Sequence, residues 1–374
     1  MTRNPSSEAL ADPSALASPG SSRQKFVDVF RGLLIAHMAL DHASLMFNAG
    51  RGAEELAKAA PATGDIWQFL TRFTGVPVAP GFFFMAGFMV ALTSARRGER
   101  GVPDAEITKR LLIRGLVLIA ADAVIMGLPR ALMGFYSFVV LSCIGVGIIA
   151  VALLRHLSTK GLLATALAVL ALHPLIDVSG LPVALQAILH EPVRDGAIRS
   201  LYPVIPWIAI VMLGFVAGRD ALSRSNPQKL WWLLSAASLL LFFAIRLSGG
   251  YGNAYSYSSI ASLEFWHFAK YPPDLSFLTW SFACVFASLA ILSRVVKDTT
   301  PAILKPFEAF GRVPFFFYIV HFYVLGIAAA ILRARFGLAE TYLIWLLLLG
   351  VMMWPCAWYY RKKRERPNWV TRYL

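Results

Sequence analysis

Charge is scarce in this sequence. Only 15% of its 374 residues are Asp, Glu, Lys or Arg, and acids are fewer than bases, 21 against 35. Soluble domains carry about a quarter of their residues as charge. A chain this poor in charge, 57% hydrophobic and with a mean hydropathy of +0.62, does not have water as its main solvent. Cysteine is nearly absent as well. Cys143, Cys284 and Cys356 all fall inside apolar runs, which excludes a disulfide framework and any C-x-x-C metal spacing, so no metal is expected. A P-loop, a dinucleotide fingerprint, a G-x-S-x-G elbow and an H-E-x-x-H pair are all missing. Residues 1–25 are rich in Ser, Ala and Pro and lack an apolar h-region. No cleaved signal peptide is expected there, and the segment reads as a disordered cytoplasmic tail.

What the chain has in abundance is long apolar runs. A bilayer needs about 20 apolar residues per helical crossing, and roughly ten runs qualify: 26–47, 76–95, 111–128, 131–154, 162–178, 204–217, 230–247, 275–292, 313–332 and 342–360. The sixth is short and opens on Tyr202-Pro203 and Pro206-Trp207, so it is either tilted or partly re-entrant. With residue 1 placed in the cytoplasm, roughly 24 Lys and Arg fall in inner segments and roughly 10 in outer ones. That asymmetry is the positive-inside pattern. The predicted fold class is therefore all-α: a polytopic transmembrane helix bundle of about ten spans over 26–360, both termini cytoplasmic, closing on a basic cytoplasmic tail at 361–374. The formal charge of +14, which in a soluble protein would suggest nucleic acid, is read instead as loops that hold topology and meet anionic lipid; no nucleic-acid partner is expected.

Ionisable groups inside a bilayer are costly and are functional candidates by default. The first run holds Asp28, Arg31, His37, Asp41 and His42. At about 100° per residue, Arg31 and His42 lie within about 20° of each other, and Asp28 shares their face. With about 1.5 Å of rise per residue, His42 stands about 16 Å further out than Arg31. His37 and Asp41, four residues apart, share a nearly opposite face and could satisfy each other. Asp28 and Arg31 read either as an interfacial ion pair or as part of a site. His42, alone on its face near the outer end, is either a base or a structural hydrogen-bonding group. Asp122 should lie at a similar depth, where it could polarise a histidine, pair with Arg72, or simply pair helices. His173 precedes Pro174 and marks either a kink or a site. His321 falls near mid-membrane, suited to helix packing or to a substrate tunnel. Two outer segments, 48–68 and 249–274, mix aromatic and polar residues, including Trp67, Trp266, His267, Lys270 and Tyr271. They read as an interfacial aromatic belt or as a surface for a sugar-like or lipid-headgroup acceptor.

The opening Phe26-Val27-Asp28-Val29-Phe30-Arg31-Gly32, followed by Met38-Ala39-Leu40-Asp41-His42, resembles the signature of bacterial membrane proteins related to the catalytic domain of heparan-α-glucosaminide N-acetyltransferase. The likeness continues through Thr71-Arg72, Ala79-Pro80-Gly81-Phe82 and Arg114-Gly115, with an acid at position 122. Tyr202-Pro203-Val204-Ile205-Pro206-Trp207, Lys270-Tyr271-Pro272-Pro273, Phe310-Gly311-Arg312-Val313-Pro314 with His321, and Pro367-Asn368-Trp369 with Tyr373-Leu374 look like later blocks. The resemblance implies a bacterial inner-membrane, multi-pass acyltransferase, which moves an acyl group, typically acetyl, from cytoplasmic acyl-CoA to an amine or hydroxyl of a sugar or lipid-linked acceptor outside. The chain departs from the family twice. The animal enzyme has its proposed catalytic histidine in the outer loop after the first span, and residues 48–66 contain none here. Related bacterial proteins often carry a histidine just before the Ala-Pro, where this chain has Val76 in Thr74-Gly75-Val76-Pro77. His42 is the histidine in a family motif near that site.

On this reading His42 is the catalytic base, helped electrostatically by Asp122, Asp41 or Arg72. Arg31, Arg110, Arg114 and Arg312 would receive the CoA phosphates, and Arg72, Trp67, Lys270, Tyr271 and His321 would meet the acceptor. The lipid bilayer is the obligate surrounding, and a homo-oligomer is possible. A carrier or flippase for a lipid or small solute would instead line a path with Asp28, Arg31, Asp41, His42 and Asp122. Such proteins often show an internal repeat with broken helices in matching positions. The two halves of this chain show no convincing repeat.

Overall fold

A computed structural model describes residues 21–52, 65–193, 197–223, 227–366 and 368. The tail at 1–20, the charges Arg3, Lys58, Arg194, Arg224 and Arg372, and the closing blocks Pro367, Trp369, Tyr373 and Leu374 lie outside the described residues.

In chain order the helices are α1 (Ser21–Phe47), α2 (Ile66–Phe73), α3 (Val78–Glu99), α4 (Asp104–Ala121), α5 (Leu128–Ala131), α6 (Val140–Leu154), α7 (Thr159–Leu172), α8 (Val183–Leu189), α9 (Val204–Ser223), α10 (Gln228–Ser248), α11 (Leu275–Val295), α12 (Lys305–Arg312), α13 (Pro314–Leu332) and α14 (Leu338–Glu365). Two three-residue strands, β1 (Tyr136–Phe138) and β2 (Ile198–Ser200), pair in parallel and are an exception to an all-α fold. Each of the ten apolar runs is occupied by a helix. Among the described residues, six stretches are long and apolar enough to cross a membrane: α2 with α3, then α9, α10, α11, α13 and α14. The chain is a multi-pass membrane protein.

The boundaries differ where backbone and polar groups intervene. The run at 131–154 becomes helical only at Val140, because Tyr136–Phe138 is drawn into β1. The run at 111–128 leaves α4 at Ala121 and continues as one π-helical turn, Asp122–Met126. The short sixth run extends to Ser223, giving α9 its 20 residues, with a break at Ile205. At the ends, α1 already begins at Ser21, and α14 carries helix through the basic residues 361–365.

Helix α1 is too polar for the apolar set, yet it lies in the middle of the bundle, in contact with α3, α11, α12, α13 and α14. Neighbouring protein in place of lipid is what makes Asp28, Arg31 and Asp41 tolerable on one helix. The tightest crossings rest on glycine. A Cβ on Gly87 would fall 1.8 Å from the Val211 carbonyl oxygen, and one on Gly214 1.9 Å from that of Phe84, so α3 and α9 meet backbone to backbone. Gly32 and Gly311 do the same where α12 crosses α1. Small residues at such crossings are how membrane helices gain packing that the solvent does not drive.

Candidate functional site

Two polar centres stand toward opposite ends of α1. Near its beginning, Arg31 reaches the Asp28 carboxylate at 3.3 Å. The close α1–α12 crossing brings Glu308 and Arg312, an ion pair one helical turn apart, within electrostatic reach of Asp28. Arg114 on α4 feels the charges of Arg31 and Arg97, and Lys363 on α14 those of Arg114 and Arg31. Five helices, α1, α3, α4, α12 and α14, thus converge on one basic cluster. Of the expected cations, Arg31, Arg114 and Arg312 belong to it, while Arg110 is engaged by Glu106 at 2.8 Å on its own helix. Arg97 and Lys363 were legible only as loop charges.

Toward the other end of α1 lies a cavity of about 470 Å³. Asp41, His42, Arg72, Lys270 and Tyr271, named from sequence, all line it, together with Arg51, Gln68, Arg130, Tyr202, His267 and Tyr318. Its apolar wall includes Phe69, Phe73, Phe82, Trp266 and Phe322. Asp41 accepts from Arg51 at 2.8 Å, Arg72 donates to the Gly52 carbonyl at 2.9 Å, and Lys270 sits 5.1 Å from the Tyr271 ring centre. His267, in the loop between α10 and α11, is held below its ordinary pKa by burial, and the Arg246 and Arg72 charges act the same way against Glu264. The loop itself is pinned by Arg246. Its fully buried guanidinium donates to the carbonyls of Phe265 (2.7 Å), Tyr255 (2.7 Å) and Glu264 (2.8 Å), satisfying backbone groups that the protein interior could not leave open.

His42 is not alone on its face. Its Nδ1 lies 2.9 Å from Nε2 of His321, a fully buried residue of α13, and Nδ1 of His321 lies 2.8 Å from the Phe317 carbonyl oxygen. Two other expectations change, those for the His37–Asp41 pair and Trp67, and for Asp122 and His321 the structure agrees with the helix-packing alternative. His37 and Asp41 do not satisfy each other through a hydrogen bond: Asp41 pairs with Arg51, and His37 Nε2 stands 3.3 Å from the Thr74 hydroxyl. Asp122 neither pairs with Arg72 nor lines the cavity. It lies behind the wall, where Oδ2 accepts from the backbone N–H of Ser142 (2.9 Å) and Val139 (3.3 Å) and so caps the start of α6. Trp67 is 65% exposed and lies off the cavity on α2. His321 stands behind His42 instead of in a tunnel wall. His173 meets the buried His190 at 3.3 Å in a separate pocket.

The family described as heparan-alpha-glucosaminide N-acetyltransferase, catalytic, matches residues 23–249, more than half of the chain. The chain belongs to this family. No curated protein matches it. The match covers α1 to α10, so the family's part of the cavity is Asp41, His42, Arg51, Arg72, Arg130 and Tyr202. Lys270 and Tyr271, from the loop before α11, and Tyr318, from α13, line the cavity beyond the matched residues, and His321 of α13, behind His42, lies beyond them too. Membership makes the protein a transferase of the membrane N-acetyltransferase kind. Sequence reasoning found Asp41, His42 and Arg72 through the family's motifs, but counted Arg51 and Arg130 only as outer charges. Nothing in their local spacing says that they face a cavity.

Proposed function

We propose that the protein transfers an acetyl or similar acyl group from cytoplasmic acyl-CoA to an amine or hydroxyl of a sugar or lipid-linked acceptor on the external side. One observation carries this reading: His42 lines a cavity walled by aromatic rings and rimmed by Arg51, Arg72, Arg130 and Lys270, while the cluster around Arg31 gathers cations about 16 Å away along the same helix. The cluster suits the phosphates of CoA, and the extended pantetheine arm suits the distance between the centres. Aromatic faces and fixed donors suit a sugar or headgroup, and the surplus of cations over Asp41 favours an acceptor that carries negative charge.

In this mechanism the acceptor's nitrogen or oxygen attacks the thioester carbonyl, and His42 takes the proton that the nucleophile gives up. The carbonyl oxygen gains charge in a site bordered by Arg72 and Arg51, the C–S bond breaks, and CoA leaves as a thiolate that is reprotonated. Asp122 contributes through the start of α6, whose Val139 and Val140 line the cavity.

Two measurements test the reading. Acetyl-CoA should raise the melting temperature of purified protein in detergent, because a ligand that binds the folded state stabilises it by about 2.7 kcal/mol at a hundredfold excess over Kd. Arg31→Ala should lose most of that shift while melting close to wild type without ligand; a full shift in the variant removes the cluster from donor binding. A carrier would show no acyl-CoA-dependent product. For orientation, reporter fusions after residues 25 and 366 should read as cytoplasmic and one after residue 190 as external. An external reading at either end overturns the arrangement of the two substrates.

A further inference from the structure

The hydrogen-bond chain behind His42 has a direction. A carbonyl oxygen only accepts, so the 2.8 Å contact between His321 Nδ1 and Phe317 O fixes the hydrogen of His321 on Nδ1. A neutral imidazole carries one N–H, which leaves Nε2 of His321 as a lone pair. That lone pair stands 2.9 Å from Nδ1 of His42. The two ring planes differ by only 10° with centroids 5.2 Å apart, so the rings meet edge to edge, as an in-plane N–H···N bond requires, and not face to face. His42 therefore donates from Nδ1, and its own lone pair is on Nε2.

From this geometry we infer that His321 is a positioning residue: it locks His42 in the Nδ1–H tautomer and turns the basic Nε2 toward the reacting groups. The inference rests on the reading of His42 as the base and adds which nitrogen acts and what selects it. Fixing the tautomer of a catalytic histidine is work usually done by a buried carboxylate, and losing the right tautomer can cost about 10⁴ in rate. In the interior of a membrane bundle an ionised carboxylate would carry a desolvation cost of several kcal/mol. A neutral imidazole supplies the same acceptor without a buried charge. The surroundings of His321 agree with a neutral ring: Phe317, Tyr318 and Phe322 pack about it, with centroids 5.3, 5.9 and 6.5 Å away. As the acceptor's proton reaches Nε2, His42 becomes an imidazolium whose Nδ1–H still donates to His321. The positive charge is stabilised without a second proton transfer.

The test uses the full-length protein in detergent. Histidine labelled with ¹⁵N reports the tautomer of each ring by nitrogen chemical shift, and the seven histidines are sorted by the signal missing from His42→Ala. Wild type should show His42 protonated at Nδ1 alone. His321→Leu should show an averaged mixture of both tautomers, and His321→Gln, which returns an acceptor oxygen near the position of Nε2, should restore the Nδ1–H form. A wild-type His42 protonated at Nε2, or one unchanged in His321→Leu, overturns the inference without reference to any acceptor. Turnover gives the second arm, with acetyl-CoA and a short alkyl glucosaminide as probes. His321→Leu should lower kcat by about 10² with KM for acetyl-CoA unchanged, His321→Gln should recover much of it, and His321→Leu should cost nothing further in a His42→Ala background. Equal losses in His321→Leu and His321→Gln, or additive losses with His42→Ala, would mean that His321 only packs. Normal turnover of His42→Ala, by contrast, would overturn the base and leave the tautomer result standing.

Discussion

His42→Ala is expected to lower acyl transfer by at least about 10²-fold, the lower end of what general-base assistance contributes, while the protein stays folded and still binds acyl-CoA. Folding should survive because His42 is half-buried at the edge of a cavity, and removing it leaves His321 with its Phe317 bond intact. Acyl-CoA binding should survive because the cations around Arg31 lie about 16 Å away along α1. His37→Ala supplies the contrast. That ring lies against Thr74 and Gly75, at the turn between α2 and α3, so its loss should act mainly on stability. The check is turnover beside a melting curve for each variant. Near-normal turnover in a folded His42→Ala protein would take the proton-transfer role away from it, leaving His267 as another histidine that lines the cavity.

The second large effect concerns the crossing of α3 and α9. Gly214→Ala places a methyl 1.9 Å from the Phe84 carbonyl oxygen, where no side chain can move aside because the obstacle is backbone. Helices α3 and α9 must separate, and overpacking of this kind costs about 1–3 kcal/mol, occasionally more. The loss should appear as a melting temperature several degrees lower, or as failure to purify folded protein. Phe83, next to Phe84, packs on Tyr202 and Trp207 with centroids 6.0 and 4.7 Å apart, so a partial separation should also disturb the wall that Tyr202 forms. Gly350→Ala is the control. No atom lies within 4 Å of a Cβ there, in the middle of α14, and alanine is a better helix former than glycine by about 1 kcal/mol. Its melting temperature should hold or rise. A Gly214→Ala protein as stable as wild type would mean that the two helices do not meet backbone to backbone.

The positions of the ten helices that occupy the apolar runs were legible because a long hydrophobic run is a one-dimensional signal. Their ends were not. Tyr136–Phe138 leaves the apolar run to pair with Ile198–Ser200, some sixty residues later, and the π turn at Asp122–Met126 opens on a carboxylate that caps another helix. Both depend on partners remote in sequence. The same distinction runs through the site. Asp41, His42 and Arg72 stood out through residue type, depth and motif. The helical wheel separated His37 from His42 correctly but could not say what each faces. It paired His37 with Asp41, whereas Arg51, nine residues beyond His42, takes the carboxylate.

By itself the sequence determined that the chain lives in a membrane, where its longer apolar helices lie, and the family to which the first two thirds belong. These follow from composition, run length and local motif, which need no knowledge of what touches what. Only the tertiary structure decided that His321 stands behind His42, that Arg51 hydrogen-bonds Asp41 where His37 does not, and that Arg114 and Lys363 gather about Arg31, with Arg97 near Arg114. The physical reason is that a hydrogen bond or an ion pair acts over a few ångströms of space, and 279 residues of chain separate His42 from His321. Helix periodicity gives the direction of a side chain about its own axis. Which neighbour waits in that direction is set by the glycine crossings that bring α12 onto α1 and α9 onto α3.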